Sequence, residues 1–243
     1  MLTLINNRSA NKQHMPKLRY LRVGFDTELN FKDIKRFRAA VIEKTERVST
    51  LFHNHLSGSA VIYRYPLIQY KIIKNKAAII CLETGTDDIH HLLKHRDLDL
   101  RIGNKIQSFQ IGEVLLNYFN TSIVDNSITY NLDHWIPLNQ KHFEVWKKHK
   151  DDKLKQIKLL ESILLGNILS FAKGINWFIE EKVVVDILKV NQLDTVDFKQ
   201  HKQLSISLIF KSNILIPDFI GLGKGSSIGF GMVEKTTKNQ LDE

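Results

Sequence analysis

The chain has 243 residues, of which 43% are apolar and 25% charged, and these values exclude a collagen-like, mucin-like or wholly disordered protein. The length allows one large domain or two small ones, and the single cysteine, Cys81, excludes both an internal disulfide and a cysteine-based zinc site. The formal net charge of +9 favours a polyanion or an anionic surface as partner, while the lack of a long apolar run or a signal-peptide pattern predicts a cytoplasmic protein with no membrane association.

The first half of the chain shows strand and helix patterns in roughly the order β-α-β-β-α-β. Residues 1–14 are polar and aperiodic, and we expect them to be a disordered extension. Asn30 is a suitable N-cap for a helix whose opposite face is basic. The predicted elements are strands at 18–25, 60–65, 67–73, 77–82, 98–102 and 105–116, and helices at 31–47 and 87–95. This order predicts a ferredoxin-like domain, which we place at residues 15–118.

The second half repeats this order with one helix replaced by a loop. Its strongest pattern is a helix at 153–173, with apolar residues three and four positions apart and Gly174 as its end. Strands are predicted at 122–130, 183–190, 204–210 and 228–234, and the polar stretch 140–152 is assigned to no element. The sequence therefore predicts an α+β protein of two tandem ferredoxin-like domains, the second at residues 119–243 with a glycine-rich loop near its end.

The positive charge is concentrated toward the N-terminus. Residues 1–76 contain 15 lysines and arginines against 5 acidic residues, whereas residues 77–243 contain 20 against 21. An arginine can bind a phosphate through two hydrogen bonds and can stack on a base. Arg36, Arg38 and Arg64 are therefore predicted to contact nucleic acid. The alternative for any one of them is a charged side chain that only keeps a helix or strand surface in water.

Glycine is unusually dense in residues 221–231, at Gly221, Gly223, Gly225, Gly229 and Gly231. Such density indicates backbone with positive φ angles or a very close approach to another group. The spacing fits neither a P-loop nor a dinucleotide fingerprint, because Gly225 follows Lys224 and Ser226 stands where a third glycine is required. Exposed N–H groups, Lys224 and the hydroxyls of Ser226 and Ser227 suit contact with an extended phosphate backbone. The alternative is a mobile hairpin connection.

Residues 219–233 resemble the glycine loop that marks the RAMP superfamily. Further segments, at 38–44, 52–56, 65–71 and 166–174, are similar to those of the CRISPR-associated endoribonucleases of that superfamily, which cut precursor CRISPR RNA within each repeat. The resemblance runs from Met15 to Val233. It implies tandem ferredoxin-like domains, RNA cleavage without metal or cofactor in CRISPR antiviral defence, and precursor CRISPR RNA as partner. It further implies a homodimer or binding to a CRISPR effector complex.

The resemblance also implies a catalytic histidine after the first helix, where this sequence has His53 and His55. Cleavage without a metal needs a base for the ribose 2′-OH and an acid for the leaving 5′-oxygen, and imidazole suits both because its unperturbed pKa is about 6.5. On an extended segment the two histidines share one face. Either could be catalytic, and either could instead pack or cap structure. Lys44, Tyr63 and Arg64 are the nearest candidates for accompanying groups, and a cation there would stabilise the transition state.

Two other functions remain open on the sequence. A RAMP-fold scaffold subunit would bind guide RNA without cutting it, and the glycine loop alone does not separate the two. A metal-dependent nuclease would use His91 and His95, whose i, i+4 spacing can hold a metal on a helix, although a solvated helix surface is the simpler interpretation. Tryptophans at 135, 146 and 177 could stack on bases, and we expect Trp177 in the core.

Overall fold

The computed structural model describes residues 17–46, 49–52 and 64–236. The predicted extension at 1–14 and three predicted site residues, His53, His55 and Tyr63, lie outside these ranges. In the described ranges, no helix is long and apolar enough to cross a lipid bilayer.

The N-terminal domain is a four-stranded antiparallel sheet with helices on one face. Its strands are β1 (Lys17–Glu28), β2 (Ile68–Ile73), β3 (Lys76–Leu82) and β6 (Ile111–Asn120), in the order β2-β3-β1-β6. Helix α1 (Ile34–Lys44) follows a single 3-10 turn and packs Phe37 and Val41 against the sheet. Two short helices, α2 (Gly85–Asp88) and α3 (His90–Leu93), and the hairpin of β4 (Asp99–Ile102) and β5 (Lys105–Ser108) lie between β3 and β6.

The C-terminal domain repeats this topology. Strands β7 (Ile123–Trp135), β8 (Val185–Phe198), β9 (His201–Ile214) and β10 (Met232–Lys235) form a sheet in the order β10-β7-β9-β8. Between β7 and β8 lie α4 (Gln140–Lys148) and the long α5 (Lys153–Gly174), which buries Leu160, Leu164, Ile168 and Phe171 at helical spacing. The glycine-rich residues 221–231 stand where a second helix would connect β9 to β10. The predicted α+β fold of tandem ferredoxin-like domains is confirmed.

The two domains share a hydrophobic core rather than only a linker. Tyr20 and Leu82 of the N-terminal domain pack in the same buried cluster as Phe171 and Trp135 of the C-terminal domain. Tyr20 also donates a hydrogen bond from Oη to the carbonyl of Asp218 at 3.0 Å. Because this core continues across the boundary, the domains hold each other in a defined orientation.

Several predicted boundaries are wrong, each for a local reason. The stretch assigned to no element contains α4, which begins where the Asn139 side chain accepts from the His142 N–H at 2.8 Å. The helix predicted at 87–95 is two short helices, and the strand predicted at 105–116 is interrupted where Phe109 turns into the core. The strand predicted to end at 190 continues to Phe198, because the turn of Lys199 and Gln200 takes the positive φ angles of a tight hairpin.

Candidate functional site

The glycine-rich loop of the C-terminal domain docks against the edge strand of the N-terminal sheet. The Tyr70 N–H on β2 donates to the Ser227 carbonyl at 2.9 Å, and Tyr70 forms a parallel bridge with Ile228. The edge of β2 is thereby paired by a segment more than 150 residues away in sequence. The strand predicted at 228–234 shrinks to β10, because Gly229 and Gly231 adopt left-handed φ angles of 87° and 62° as part of this loop.

A lysine lies completely buried beneath the loop. Lys71 projects from β2 and its Nζ donates to the Ser226 carbonyl at 2.9 Å. The described residues offer this ammonium no ion pair, and burial lowers the pKa of Lys71 to about 7. A Cβ at Gly221 would lie 2.7 Å from Lys71 Nζ, so only glycine leaves room for the lysine at that position.

Two neutral side chains fix the start of the loop. Gln69 Oε1 accepts from the Gly221 N–H at 2.8 Å, and Tyr65 Oη donates to the Gly221 carbonyl at 2.8 Å. Gln69 Nε2 closes the cycle by donating to Tyr65 Oη at 2.9 Å. All three residues are buried, and burial raises the pKa of Tyr65 far above its ordinary value, so the phenol stays neutral and keeps its donor.

The tip of the loop presents a run of free backbone donors. Within the part of the chain that the structure describes, the N–H groups of residues 223–227 have no acceptor. Gly223 and Gly225 have left-handed φ angles of 79° and 72°, so the chain turns sharply there. Successive N–H groups in such turns form a concave site for anions. A Cβ on Gly231 would lie 2.0 Å from the Leu222 carbonyl oxygen, so this shape also depends on glycine.

The side chains of the loop are less accessible than its backbone. Lys224 is half-buried, and its Nζ donates to the carbonyl of Leu138 and to Gln203 Oε1 at 3.4 Å. Burial lowers the pKa of Lys224. Ser226 is buried and Ser227 half-buried. The predicted RNA contacts of the loop, at Gly221, Gly223, Lys224, Gly225, Ser226, Ser227, Gly229 and Gly231, stay predictions, and the geometry favours the backbone as the binding surface.

Both ends of the segment that carries the predicted catalytic histidines are anchored next to this loop. The Phe52 carbonyl, immediately before His53, accepts from Tyr70 Oη at 3.5 Å and from Arg38 Nε at 3.4 Å. At the other end the chain re-enters at Arg64, which is exposed, and Tyr65, which binds Gly221. Because Tyr70 and Tyr65 both contact the glycine loop, the described residues that flank positions 53–63 lie near that loop.

The other predicted cations lie on α1. Lys44, at its C-terminal end, forms an ion pair from Nζ to Asp97 Oδ1 at 2.7 Å. Arg36 pairs with Asp33 at 2.6 Å and is exposed. Surface pairs of this kind are weak and exchange readily for other anions, so both cations stay available to a polyanion. Whether they contact RNA stays a prediction.

His91 and His95 do not have the geometry that their spacing suggested. Helix α3 ends at Leu93, so His91 lies on it and His95 lies beyond it. The i, i+4 relation therefore does not place them on one helix face. Among the described residues, no group of three or more histidine, cysteine or acidic side chains is arranged to hold a metal ion.

Two of the three tryptophans belong to the core, and Trp146 is half-buried against it. Trp177 is buried, as predicted, and Trp135 is completely buried. Trp135 Nε1 donates to Asn167 Oδ1 at 2.9 Å, and both groups pack where a Cβ on Gly223 would stand. Trp135 thus supports the loop rather than stacking on a base.

Sequence reasoning missed the residues that hold the loop, namely Tyr65, Gln69 and Lys71. One signal was present, since Lys71 stands in a strand with three isoleucines and a tyrosine, and a lysine is rarely buried unless it has a partner. Its partner could not be read from the sequence, because Ser226 is 155 residues away.

Two ferredoxin-like domains joined by a docked glycine-rich loop give the chain a fold that RAMP proteins share. The same fold occurs in a solved structure described as "An RAMP protein binding different RNA substrates", which matches 91% of this chain and all of that one with a TM-score of 0.50 and 13% identity. Residues 16–120 match the Cas6b N-terminal domain and residues 122–236 match the Cas6b C-terminal domain. The chain belongs to the Cas6b family.

Individual relatives agree with this assignment. A crystal structure of Cas6b covers 90% of this chain and all of that one, with a TM-score of 0.83 and 28% identity. A second structure, described as "CRISPR RNA processing endoribonuclease Cas6b", gives the same coverage with a TM-score of 0.68 and 26% identity. "Uncharacterized protein MJ0978" of Methanocaldococcus jannaschii is 32% identical over 143 residues, which are 58% of this chain and 94% of that protein.

Proposed function

We propose that this protein is an endoribonuclease that cuts CRISPR repeat RNA and releases guide RNAs for antiviral defence. Membership of the Cas6b family and the similarity to a CRISPR RNA processing endoribonuclease support the activity. The observation that supports the site is the position of Phe52 and Tyr65, the described residues on either side of the histidine-bearing segment, which are held by residues that contact the glycine loop. We therefore propose that His53 and His55 act beside this backbone surface, which is suited to phosphate.

The proposed chemistry needs no metal. The ribose 2′-oxygen attacks the adjacent phosphorus while one histidine, His53 or His55, removes the 2′ proton, and the bond from phosphorus to the 5′-oxygen breaks as an acid protonates that oxygen. The products are a 2′,3′-cyclic phosphate and a 5′-hydroxyl. Negative charge grows on the phosphate in the transition state, and Lys44 together with Tyr63 is proposed to stabilise it.

The RNA is proposed to follow the free N–H groups of residues 223–227 and the basic face of α1. Backbone donors at the loop would hold the phosphates beside the histidines, while Arg36, Arg38 and Arg64 would contact the flanking strand. Because most of these contacts go to phosphates, they position the RNA rather than read its sequence. The protein would act in the cytoplasm, as a homodimer or in contact with a CRISPR effector complex.

The direct test incubates the protein in EDTA with labelled repeat RNA from its own source and with a copy carrying a 2′-deoxy substitution at the mapped cut position. Cleavage at one site that the single substitution blocks is the expected result. Cleavage that stops in EDTA would contradict the metal-free reaction. Binding of repeat RNA without any cleavage would instead favour the scaffold function.

Histidine variants test the assignment of the catalytic group. His53→Ala and His55→Ala are compared with His90→Ala, which removes an exposed histidine on α3. We expect one of the first two to lose roughly 10²- to 10⁴-fold in cleavage rate, the usual contribution of one acid or base, while RNA binding persists. If both cut as fast as His90→Ala, neither histidine is catalytic.

A further inference from the structure

An open cleft of about 650 Å³ lies between the two domains, and Lys44 is not among the described residues that line it. Its walls come from the end of β1 and the following turn, from the hairpin of β2 and β3, and from β7 and the loop at Gly229. Ligand sites for small molecules typically have about 300 to 1,000 Å³, so a nucleoside-sized group fits. Its described lining includes Asn30, Phe31, Asn75, Asp133 and His134.

A distortion of β7 places two side chains at this cleft. The register of β7 against β9 shifts between Leu132 and Trp135, so one extra residue is inserted there. His134 has a φ of 50°, which is costly for a residue with a side chain. Its N–H donates to Ser207 Oγ at 3.1 Å and its carbonyl accepts from the Gly231 N–H at 3.2 Å. The sheet therefore holds the bulge in place, with Asp133 and His134 on the wall of the cleft.

Of the described side chains, the neighbouring His134 favours the charged form of the Asp133 carboxylate, but without a hydrogen bond. Asp133 is half-buried, and no described residue donates a hydrogen bond or an ion pair to it. Burial raises its pKa, which records the cost of leaving the charge without donors. Glu234 lies close enough to add repulsion rather than relief. A ligand that brings N–H donors to Asp133 would remove this cost.

Planar groups stand beside that carboxylate. The rings of Phe31 and His134 are 4.9 Å apart with an angle of 33° between their planes, and both are half-buried and line the cleft. Phe31 is held from behind by an edge-to-face contact with Phe230 at 5.1 Å. The exposed amides of Asn30 and Asn75 lie on the same walls. Aromatic walls with a few polar edges are how proteins hold unstacked RNA bases.

The geometry points to this cleft as a specificity site for one unpaired guanine of the RNA, with its Watson–Crick edge donating to Asp133 and its ring beside Phe31 and His134. Guanine is the base with two adjacent N–H donors on that edge, at N1 and N2, and a carboxylate accepts two such bonds side by side. Among the described residues that line the cleft there is no lysine or arginine, which argues against a phosphate there. This inference rests on the proposed function, because it names the base read by the same protein that cuts the repeat.

The test measures binding of the repeat RNA blocked by the 2′-deoxy substitution, with inosine replacing one guanine at a time. Inosine lacks the N2 amino group and so removes one donor. We expect one position at which inosine weakens binding to the unchanged protein by about tenfold, as for loss of a hydrogen bond to a charged group. Asp133→Asn should weaken binding of the unsubstituted RNA by a similar factor and should make that position insensitive to inosine. Asp125→Asn, an exposed carboxylate on the same strand β7, should behave like the unchanged protein.

Two measurements keep the outcomes distinct. If the unchanged protein cuts the repeat but no inosine position depends on Asp133, the guanine site is wrong and the proposed function stands. If the protein neither binds nor cuts the repeat, both fail. Should Asp133→Asn not fold, ultraviolet cross-linking of the unchanged protein to 6-thioguanine at the sensitive position replaces it. Cross-links within residues 28–34 or 131–135 support the site, and cross-links elsewhere overturn it.

Discussion

Replacing the buried Lys71 by methionine should change how stability depends on pH. In the folded protein burial lowers the pKa of Lys71 to about 7 from 10.5, so between these values the unfolded chain binds one more proton than the folded one. The free energy of unfolding therefore rises with pH across this range. From about pH 7 to about pH 8.5 the linkage relation gives an increase of about 1.6 kcal/mol from this one group. Lys71→Met removes the group and should remove that increase.

The assay is urea denaturation at several pH values between about 7 and 8.5. Other groups also titrate, and Cys81 acts in the opposite direction at higher pH, because burial raises the pKa of its thiol above that of the unfolded chain. Lys224, whose pKa burial also lowers, contributes equally to both proteins. The informative quantity is therefore the difference in slope between the parent and Lys71→Met. Lys211→Met, which removes an exposed lysine, should keep the parent slope.

The result that refutes this reasoning is a parent protein and a Lys71→Met variant with the same dependence of stability on pH. Such a result would mean that Lys71 keeps its proton in the folded state at pH 8.5, through water or an anion that reaches it. The absolute stability of the variant does not decide the matter, because methionine also leaves the Ser226 carbonyl without its donor.

Three further results are expected. Gly231→Ala should lose about 2 kcal/mol or more of stability in denaturant melts, because φ at this position is left-handed and the new Cβ would meet the Leu222 carbonyl. Gly166→Ala, on an exposed turn of α5 with nothing within 4 Å, should gain roughly 0.5 to 1 kcal/mol and cut RNA at the parent rate. Equal effects of the two substitutions on stability would argue against the docked loop. Tyr65→Phe should cost about 1 to 3 kcal/mol in the same melts, since the Gly221 carbonyl and Gln69 Nε2 both lose a buried partner, and a neutral change would show that water replaces the hydroxyl. The logarithm of RNA affinity, measured by filter binding, should fall linearly with the logarithm of salt concentration, with a slope of about 0.7 for each phosphate contacted on a single strand. An affinity that does not change with salt concentration would contradict phosphate binding by the loop and α1.

The sequence predicted the elements whose evidence is local. Helix α5 was found because its apolar residues repeat at helical spacing and Gly174 follows them, and β3 because its apolar residues are continuous. Helix α4 was missed because it is nine residues long and its apolar residues, Phe143, Val145 and Trp146, stand in a mostly polar stretch with no fully buried position. The sequence does contain its N-cap, Asn139, but a single capping residue is not enough to predict a helix.

The sequence predicted the glycine-rich character of the candidate site but not which residues pack around it. Glycine density correctly indicated backbone with positive φ, which five of the described glycines have, including four in this loop. Which groups fill the space around those glycines depends on the other domain, since Lys71, Gln69 and Tyr65 reach the loop only after both domains pack. Hydrophobic periodicity reports on residues that are neighbours along the chain, so it does not predict contacts between residues far apart in sequence.

The pairing of β2 with residues 227 and 228 has a consequence for synthesis of the protein. The edge of the first domain is completed by backbone that is made more than 150 residues after β2. The basic helix α1 is therefore synthesised long before the loop, and Lys71 meets its partner Ser226 only once most of the second domain has been made. Until residues 221–231 are added, the nascent chain leaves Lys71 without its carbonyl partner and β2 open to pairing with other chains.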